Sequence, residues 1–318
     1  MVRTEDQIER FAGQRLLAQD PRSERPSRPC PACSSTDAWA VGIKNELEVF
    51  CCRICRSLYC PYTPWYTSER YYVDYYTHHG LDEPPIVARR LSEITAGFSP
   101  YRQTNRLLDV GCGAGSLLQA ARDNGWTALG IDVSASSVDH VRKLGFEVLH
   151  GELNTVQLPS EHFDVITAAE IVEHLFDPVT VVTEVYRLLR PGGLFWMTTP
   201  HCRALGARVL GLDWRLVSPP EHLQLFSIDG LRRLLMRAGF RKLQLQTSGG
   251  NPLELWQGLR KKDRDVQKPT WNFTAVAASY RINEAMTKSS VRRALKKAVN
   301  GFLNVSKLGD SLKAFAIR

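Results

Sequence analysis

The stretch Leu107–Gly115, LLDVGCGAG, sets three glycines at alternate positions directly after a short apolar run. A strand that ends in an acid, Asp109, and then bares its backbone at Gly111, Gly113 and Gly115 before a helix is built to hold a ligand. Without a Cβ, the ligand can approach main-chain N–H groups closely. A dinucleotide turn is spaced G-x-G-x-x-G and holds a pyrophosphate at the helix N-terminus. Here the third glycine comes one residue earlier. The next apolar run ends in LGIDVS, which places Asp132 where a carboxylate can accept both hydroxyls of a ribose.

From Asn105 to about Gly249, apolar runs alternate with amphipathic segments, the pattern of βαβ units around a parallel sheet. Strands are expected at Arg106–Val110, Thr127–Ile131, Glu147–Leu149, Phe163–Ala168, Leu194–Thr198 and Lys242–Gln246. Helices are expected at Gly115–Asp123, Val179–Leu189 and Ile228–Ala238, and RPGG at 190–193 reads as a helix-stopping turn. The fold class is therefore α/β.

Six of the eight cysteines fall between Cys30 and Cys60. CPAC (Cys30, Cys33) and CRIC (Cys52, Cys55) are two C-x2-C knuckles that can present four thiolates to a structural zinc. Cys51 and Cys60 are spare, and a knuckle shifted by one residue would use Cys51 in place of Cys52. A closed four-thiolate site has no open position for catalysis.

Ahead of the cysteines, residues 1–29 hold one short helical pattern (Ile8–Leu17) and a Pro-, Ser- and Arg-rich stretch that reads as a linker. No run of 18 apolar residues and no secretory leader pattern is present, so a cytoplasmic protein is expected. Residues 251–318 carry 14 Lys and Arg against five Asp and Glu, whereas the rest of the chain is near neutral. That local surplus points to an anionic partner or to a solvated helix face.

LLDVGCGAGSLL, LGIDVS, HGELNTVQLP, FDVITAAEIVEHLFDP and LLRPGGLFWMTTP together resemble, in order, a class I S-adenosylmethionine-dependent methyltransferase over about residues 100–249. The resemblance implies a Rossmann-like, seven-stranded sheet whose last strand is antiparallel. Phe240–Thr247 and Ser311–Ile317 would be its final two strands, with 250–308 inserted between them. It also implies that Asp109, Gly111, Gly113 and Gly115 hold the methionine part of the cofactor and that Asp132 holds the ribose. Glu152 and Leu153 would flank the adenine, and Ala169 and Glu170 would lie beneath the sulfonium. Cys112 and Val133 complete the cofactor set. The front of the chain resembles the zinc-ribbon leader of bacterial methyltransferases near glycan or lipid-linked saccharide pathways. There, Tyr71, Tyr72, Tyr75 and Tyr76 would either line the cleft or pack the ribbon.

The divisions expected are a flexible 1–29, a zinc-ribbon-like 30–66 and a cleft-lining 67–104. A cofactor-binding core at 105–249, a basic helical insertion at 250–308 and a last strand at 309–318 follow.

Methyl transfer from a sulfonium is an in-line displacement, so the enzyme chiefly positions the acceptor. A hydroxyl acceptor also needs a base or a metal to take its proton. EIVEH offers Glu170, Glu173 and His174, which share a face if helical. His222, in PPEHLQLFS, is the preferred base, with His201 after TTP next and Glu170 also a candidate. Glu170, Glu173, His174 and His222 form an oxygen-and-nitrogen set suited to Mg²⁺ or Mn²⁺. The same ExxEH occurs in ubiquinone-biosynthesis O-methyltransferases, and small-RNA 2′-O-methyltransferases show it with a later His. Both use a divalent ion, whereas metal-free relatives carry a similar segment.

From Ile282 to Val305 apolar residues recur at helical period, interleaved with Lys288, Arg292, Arg293, Lys296 and Lys297. This stripe suits packing on the catalytic domain, or peripheral contact with the inner face of a membrane. The expected function is O-methylation of a sugar, or of a glycan or lipid-linked precursor, as a small-molecule acceptor. Alternatives are a metal-dependent RNA or small-aromatic O-methyltransferase, and a non-catalytic cofactor-binding or nucleic-acid-binding regulator. The ribbon is only modestly basic (Lys44, Arg53, Arg56), which disfavours nucleic acid. Oligomeric state is not legible in the sequence.

Overall fold

The computed structural model describes residues 28–60, 85–260 and 289–318. The helix pattern at 8–17, the linker, the four tyrosines at 71–76 and the first part of the 282–305 stripe lie outside them. Two sheets form. The larger contains β4 (Arg106–Val110), β5 (Thr127–Asp132), β6 (Glu147–His150), β7 (Phe163–Ala169), β8 (Leu189–Pro200), β10 (Lys242–Ser248) and β11 (Ser311–Ile317). Its order is β10-β11-β8-β7-β4-β5-β6. The five strands from β8 to β6 are parallel, while β11 runs antiparallel to both β8 and β10.

Both faces of this sheet are covered, which is why LLDV and FDVITA read as continuous apolar runs rather than alternating ones. Leu107, Val165, Leu194 and Trp196 meet α1 (Pro85–Ala96) and α2 (Ser116–Asp123) on one face. Leu108, Ile166, Phe195 and Ala316 face α4 (Pro178–Leu188) and α6 (Ile228–Arg237) on the other. Each fully buried Leu or Phe here contributes about 1.5–3 kcal/mol relative to exposure. Side-chain caps set the helix starts. Ser134 accepts from the Ser137 amide to open α3 (Ala135–Lys143), Asp177 accepts from Thr180 ahead of Pro178, and Ser227 accepts from Gly230.

The RPGG segment is not a simple turn between helix and strand. It lies within β8 as an excursion, where the register jumps from Phe163↔Leu189 to Val165↔Leu194 and Gly192 takes φ +78°. Arg190 in this excursion donates to the fully buried Asp164 at 2.6 Å. Burial works against the Asp164 charge, but Arg190 and the amides of Gln103, Thr104 and Asn105 hold its carboxyl below the usual range. The pair ties β7 and β8 to the segment that leads into β4.

The smaller sheet contains β1 (Ala38–Lys44), β2 (Leu47–Cys52) and β3 (Leu58–Tyr59), and its fourth strand, β9 (Gln224–Leu225), comes from the part of the chain that builds the larger sheet. Asn45 and Glu46 both take positive φ, closing a two-residue hairpin between β1 and β2.

In the C-terminal part, α5 (Leu205–Leu210) packs near α7 (Pro252–Arg260), and α8 (Ser290–Ser306) lies along β10. The contact of α8 with β10 is polar: the Thr247 amide donates to Asn304 and the Gly249 amide to Asn300. Leu295, Val299, Phe302 and Val305 stay exposed. The helical period is present, but this part of the stripe does not face the domain.

Candidate cofactor and acceptor site

The glycine turn follows β4 as a chain of left-handed residues. Gly111, Gly113 and Gly115 have φ of +73°, +50° and +80°, a conformation that costs any other L-residue strain. Gly111 also has no room for a Cβ, which would lie 2.2 Å from Ile171 Cδ1. Gly115 caps α2, so the first amides of that helix face the turn. Asp109 is buried at the strand end, and its Oδ1 accepts a 2.7 Å bond from Thr167 Oγ1 on β7.

Asp132 ends β5 beside the turn. Its Oδ2 accepts from the Gly113 amide at 2.8 Å and its Oδ1 from the Ser134 amide at 2.9 Å. Burial raises its pKa, and the two amides oppose the rise. Each oxygen keeps a second lone pair, so the same carboxylate can still accept two ribose hydroxyls. Next to it, Val133 accepts at its carbonyl from His150 at 3.0 Å. Glu152 is exposed and Leu153 buried just past β6. Cys112 is buried against Gly130, and burial pushes its thiol pKa up. These residues form a cradle of bared amides with two buried carboxylates, Asp109 and Asp132, which fits an adenosyl cofactor.

Ala169 ends β7, and Glu170 follows at φ +55°, its amide donating to the Thr198 carbonyl at 2.9 Å. A non-glycine residue in this region is a strained position of the kind found at functional sites. EIVEH is not the helix its spacing suggested. Val172–His174 is a turn, closed by the His174 amide on the Ile171 carbonyl, because the left-handed Glu170 cannot start a helix. Glu170 is exposed while Glu173 is buried.

The turn nonetheless gathers a group. One ligating atom from each of Glu173, His174 and His222 lies within 4.8 Å of the others, and Glu170 is outside this set. The rings of His174 and His222 are 4.9 Å apart. His174 Nδ1 lies 2.8 Å from the Glu221 carbonyl and His222 Nδ1 lies 2.7 Å from the Leu216 carbonyl. A carbonyl only accepts, so both Nδ1 atoms carry a proton, and Nε2 is the atom each ring has left to ligate or accept with in its neutral form. Burial, then His222, lowers the pKa of His174 to about 3, so it stays neutral. Burial, then the charge of Glu170, holds Glu173 well above the carboxylate range. Its Oε2 accepts from Thr199 at 2.9 Å, and its buried Oε1 has no hydrogen-bond partner. An orphaned carboxyl oxygen beside two imidazoles fits a divalent cation, which would lower the pKa of a bound hydroxyl.

His201 is placed differently. It is 1% exposed, with Nδ1 3.1 Å from the Gly309 carbonyl, and burial lowers its pKa to about 4.

Cys30, Cys33, Cys52 and Cys55 come together with every Sγ within 4.8 Å of the others. Cys30 and Cys55 are 3.6 Å apart and Cys33 and Cys52 are 3.5 Å apart. Zinc–sulfur bonds of about 2.3 Å in a tetrahedron give sulfur separations of about 3.8 Å, so the set fits zinc. Cys52, not Cys51, is the member. Cys51 Sγ turns toward the Cys52 carbonyl at 3.8 Å, and Cys60 is buried beside Arg28.

Sequence reasoning missed how the cluster reaches the acceptor side. Ser227 Oγ donates to the Cys55 carbonyl, Ser57 Oγ accepts from the Ser227 amide at 3.2 Å, and the Cys60 amide donates to Leu223 at 2.9 Å. Gln224 then donates to the carbonyls of Val172 and Leu175 at 2.7 and 2.6 Å. The ribbon thus braces both the His222 segment and the Glu173 turn.

The family model described as "Methyltransferase domain" matches residues 85–245, just over half of the chain. The chain belongs to this methyltransferase-domain family. Its fold is the class I arrangement, a seven-stranded α/β sheet with an antiparallel C-terminal strand, preceded by the four-cysteine segment.

A Mycolicibacterium smegmatis protein named "Probable S-adenosylmethionine-dependent methyltransferase" is 32% identical over 157 residues, 49% of this chain and 56% of that one. A protein of Thiobacillus denitrificans named ubiquinone biosynthesis O-methyltransferase is 31% identical over 162 residues, 46% of this chain and 69% of its own. The chain thus spans little more than half of the first relative's length. Among solved structures, a SAM-dependent methyltransferase from Archaeoglobus fulgidus covers 79% of this chain at TM-score 0.49 and 17% identity.

Proposed function

We propose that this chain is an S-adenosylmethionine-dependent O-methyltransferase acting on a hydroxyl of a sugar, or of a glycan or lipid-linked precursor. The observation that carries this reading is the Glu173–His174–His222 group beside the end of β7, next to the cofactor cradle. His222, with Nδ1 committed to Leu216, has Nε2 as the atom that would take the hydroxyl proton as the methyl is transferred. Ala169 and Glu170 would lie beneath the sulfonium, and Asp132 would orient the ribose. Zinc on the four cysteines would be structural, fixing the ribbon that braces the His222 segment. The relatives named as O-methyltransferases support transfer to oxygen.

A second reading, favoured by the orphaned Glu173 Oε1, places Mg²⁺ or Mn²⁺ on Glu173, His174 and His222. That ion would supply positive charge to acidify the acceptor hydroxyl.

The test uses cofactor bearing a labelled methyl, sugars and sugar phosphates as acceptors, and protein dialysed free of Mg²⁺ and Mn²⁺ with zinc retained. Base-stable label on a hydroxyl-only acceptor is expected. A rate unchanged by added Mg²⁺ or Mn²⁺ selects His222 alone, and a metal-dependent rate selects the second reading. Label only on amine-bearing acceptors would contradict both.

A further inference from the structure

The helix α8 turns a polar side to the domain and its apolar side away. Asn304 and Asn300 accept from the amides of Thr247 and Gly249, and Thr247 Oγ1 donates to the Leu303 carbonyl at 2.7 Å. Leu295, Val299 and Phe302 recur at i, i+4 and i+7 on the opposite side, with Val305 beside them. All four are exposed, Phe302 to 66% and Val305 to 83%. An apolar stripe at this spacing is ordinarily buried, so a helix that turns it outward marks an interaction surface.

The same region is basic. The sequence of α8 includes Arg292, Arg293, Lys296 and Lys297 and no acid, and Lys307 follows it. On α5, Leu205 and Val209 are exposed one turn apart, with Arg203 and Arg208 exposed alongside, and the sequence has no acid between His201 and Leu212. The Leu205 amide donates to the Leu308 carbonyl at 2.9 Å, so α5 adjoins the C-terminal end of α8. Ser248, next to the Thr247 that holds α8, pairs with Ser311, and Ser311 pairs with Pro200. This end of α8 therefore lies at the carboxyl ends of the parallel strands, the edge where Ala169 and Glu170 also sit and where sheets of this kind take their ligands.

We propose that the outward face of α8, with the exposed side chains of α5, is a docking surface for an anionic lipid bilayer. Its apolar side chains enter the boundary between headgroups and acyl chains, and the long Lys and Arg side chains reach the lipid phosphates. Charge selects this occupant. Two copies meeting through the face would set the same cations against one another, whereas anionic lipid neutralises them. Because the surface borders the acceptor edge, the inference also selects the lipid-linked acceptor over the free sugar, and for that step alone it rests on the O-methyltransferase reading.

The test sediments the full chain, saturated with S-adenosylhomocysteine, with vesicles of phosphatidylcholine alone and of equal parts phosphatidylcholine and phosphatidylglycerol. The mixed vesicles are expected to bind about tenfold more tightly or better, with an affinity that falls as salt rises. Phe302→Glu, at an exposed position where folding is not at risk, is expected to weaken that binding by about tenfold or more, and Lys297→Gln by about fivefold. Both variants should keep the melting curve and the S-adenosylhomocysteine affinity of the wild type. No binding to mixed vesicles, equal binding to both kinds, or unchanged binding in Phe302→Glu overturns the inference. A dimer that Phe302→Glu abolishes, with vesicles left unbound, also overturns it, since a second copy then covers the face. Labelled methyl is expected in a hexosyl lipid carried by the mixed vesicles, and label in the free hexose alone overturns the choice of acceptor. Failure of the wild type to bind S-adenosylhomocysteine would instead overturn the cofactor reading, with vesicle binding intact.

Discussion

Replacing Cys55 by serine is expected to strip zinc from the ribbon, lower the thermal midpoint by on the order of 10 °C and abolish methyl transfer. Cys55 is completely buried, and its Sγ contacts Cys30 at 3.6 Å, so a serine there offers zinc a poor fourth ligand. The effect spreads because the ribbon is not a separate appendage. Its sheet is completed by β9, with Leu58 paired to Leu225 and Tyr59 to Gln224. Arg28 adds bonds to the carbonyls of Cys60 and Phe176 at 2.8 and 3.0 Å, and Arg237 on α6 reaches Pro31 and Ala32, both at 3.2 Å. Loosening the ribbon therefore releases His222 and the Glu173 turn, while the glycine turn between β4 and α2 keeps its own supports. Elemental analysis, a melting curve and turnover check this. Full zinc content, or normal turnover without zinc, would refute the bracing role.

Changing His222 to alanine is expected to lower kcat by about 10²–10⁴-fold, the usual contribution of a positioned base, with the affinity for S-adenosylhomocysteine unchanged. The Nδ1 bond to Leu216 fixes the ring, so in the proposed role Nε2 is the atom that would accept the proton. His201→Ala makes the contrast. That ring is sealed in the interior on Gly309, so its loss should lower stability, by about 1–3 kcal/mol for the buried carbonyl left unpaired, before it touches kcat. Turnover within twofold of wild type in His222→Ala would remove it from the proton path.

The sequence announced these features unevenly, and the reasons are physical. The turn at Gly111–Gly115 was legible because left-handed backbone and close ligand approach both demand glycine, so the requirement is written in residue identity. The parallel strands were legible because burial on both faces leaves continuous apolar runs. β11 was reached only through the family resemblance, since SLKAFAI gives no sign that it inserts between β8 and β10.

EIVEH misled because helical spacing says nothing about the left-handed Glu170 that breaks the helix before it starts. β9 has only two residues, and its partner β3 lies about 165 residues away, so no local period marks it. The Asp164–Arg190 pair was equally hidden, because it is defined by the register jump between β7 and β8. The four cysteines gave the ligand set, but their link to His222 runs through Ser227, Leu223 and Gln224, which carry no motif.

The most direct test of the account is calorimetric titration of S-adenosylhomocysteine into the wild-type chain and into Asp132→Ala. The wild type is expected to bind one molecule per chain. Removing the carboxylate that holds the Gly113 and Ser134 amides should weaken binding by about 10–100-fold, with the melting curve still cooperative. No binding by the wild type, or equal affinity in Asp132→Ala, would contradict the assignment of this turn as the methyl donor's site.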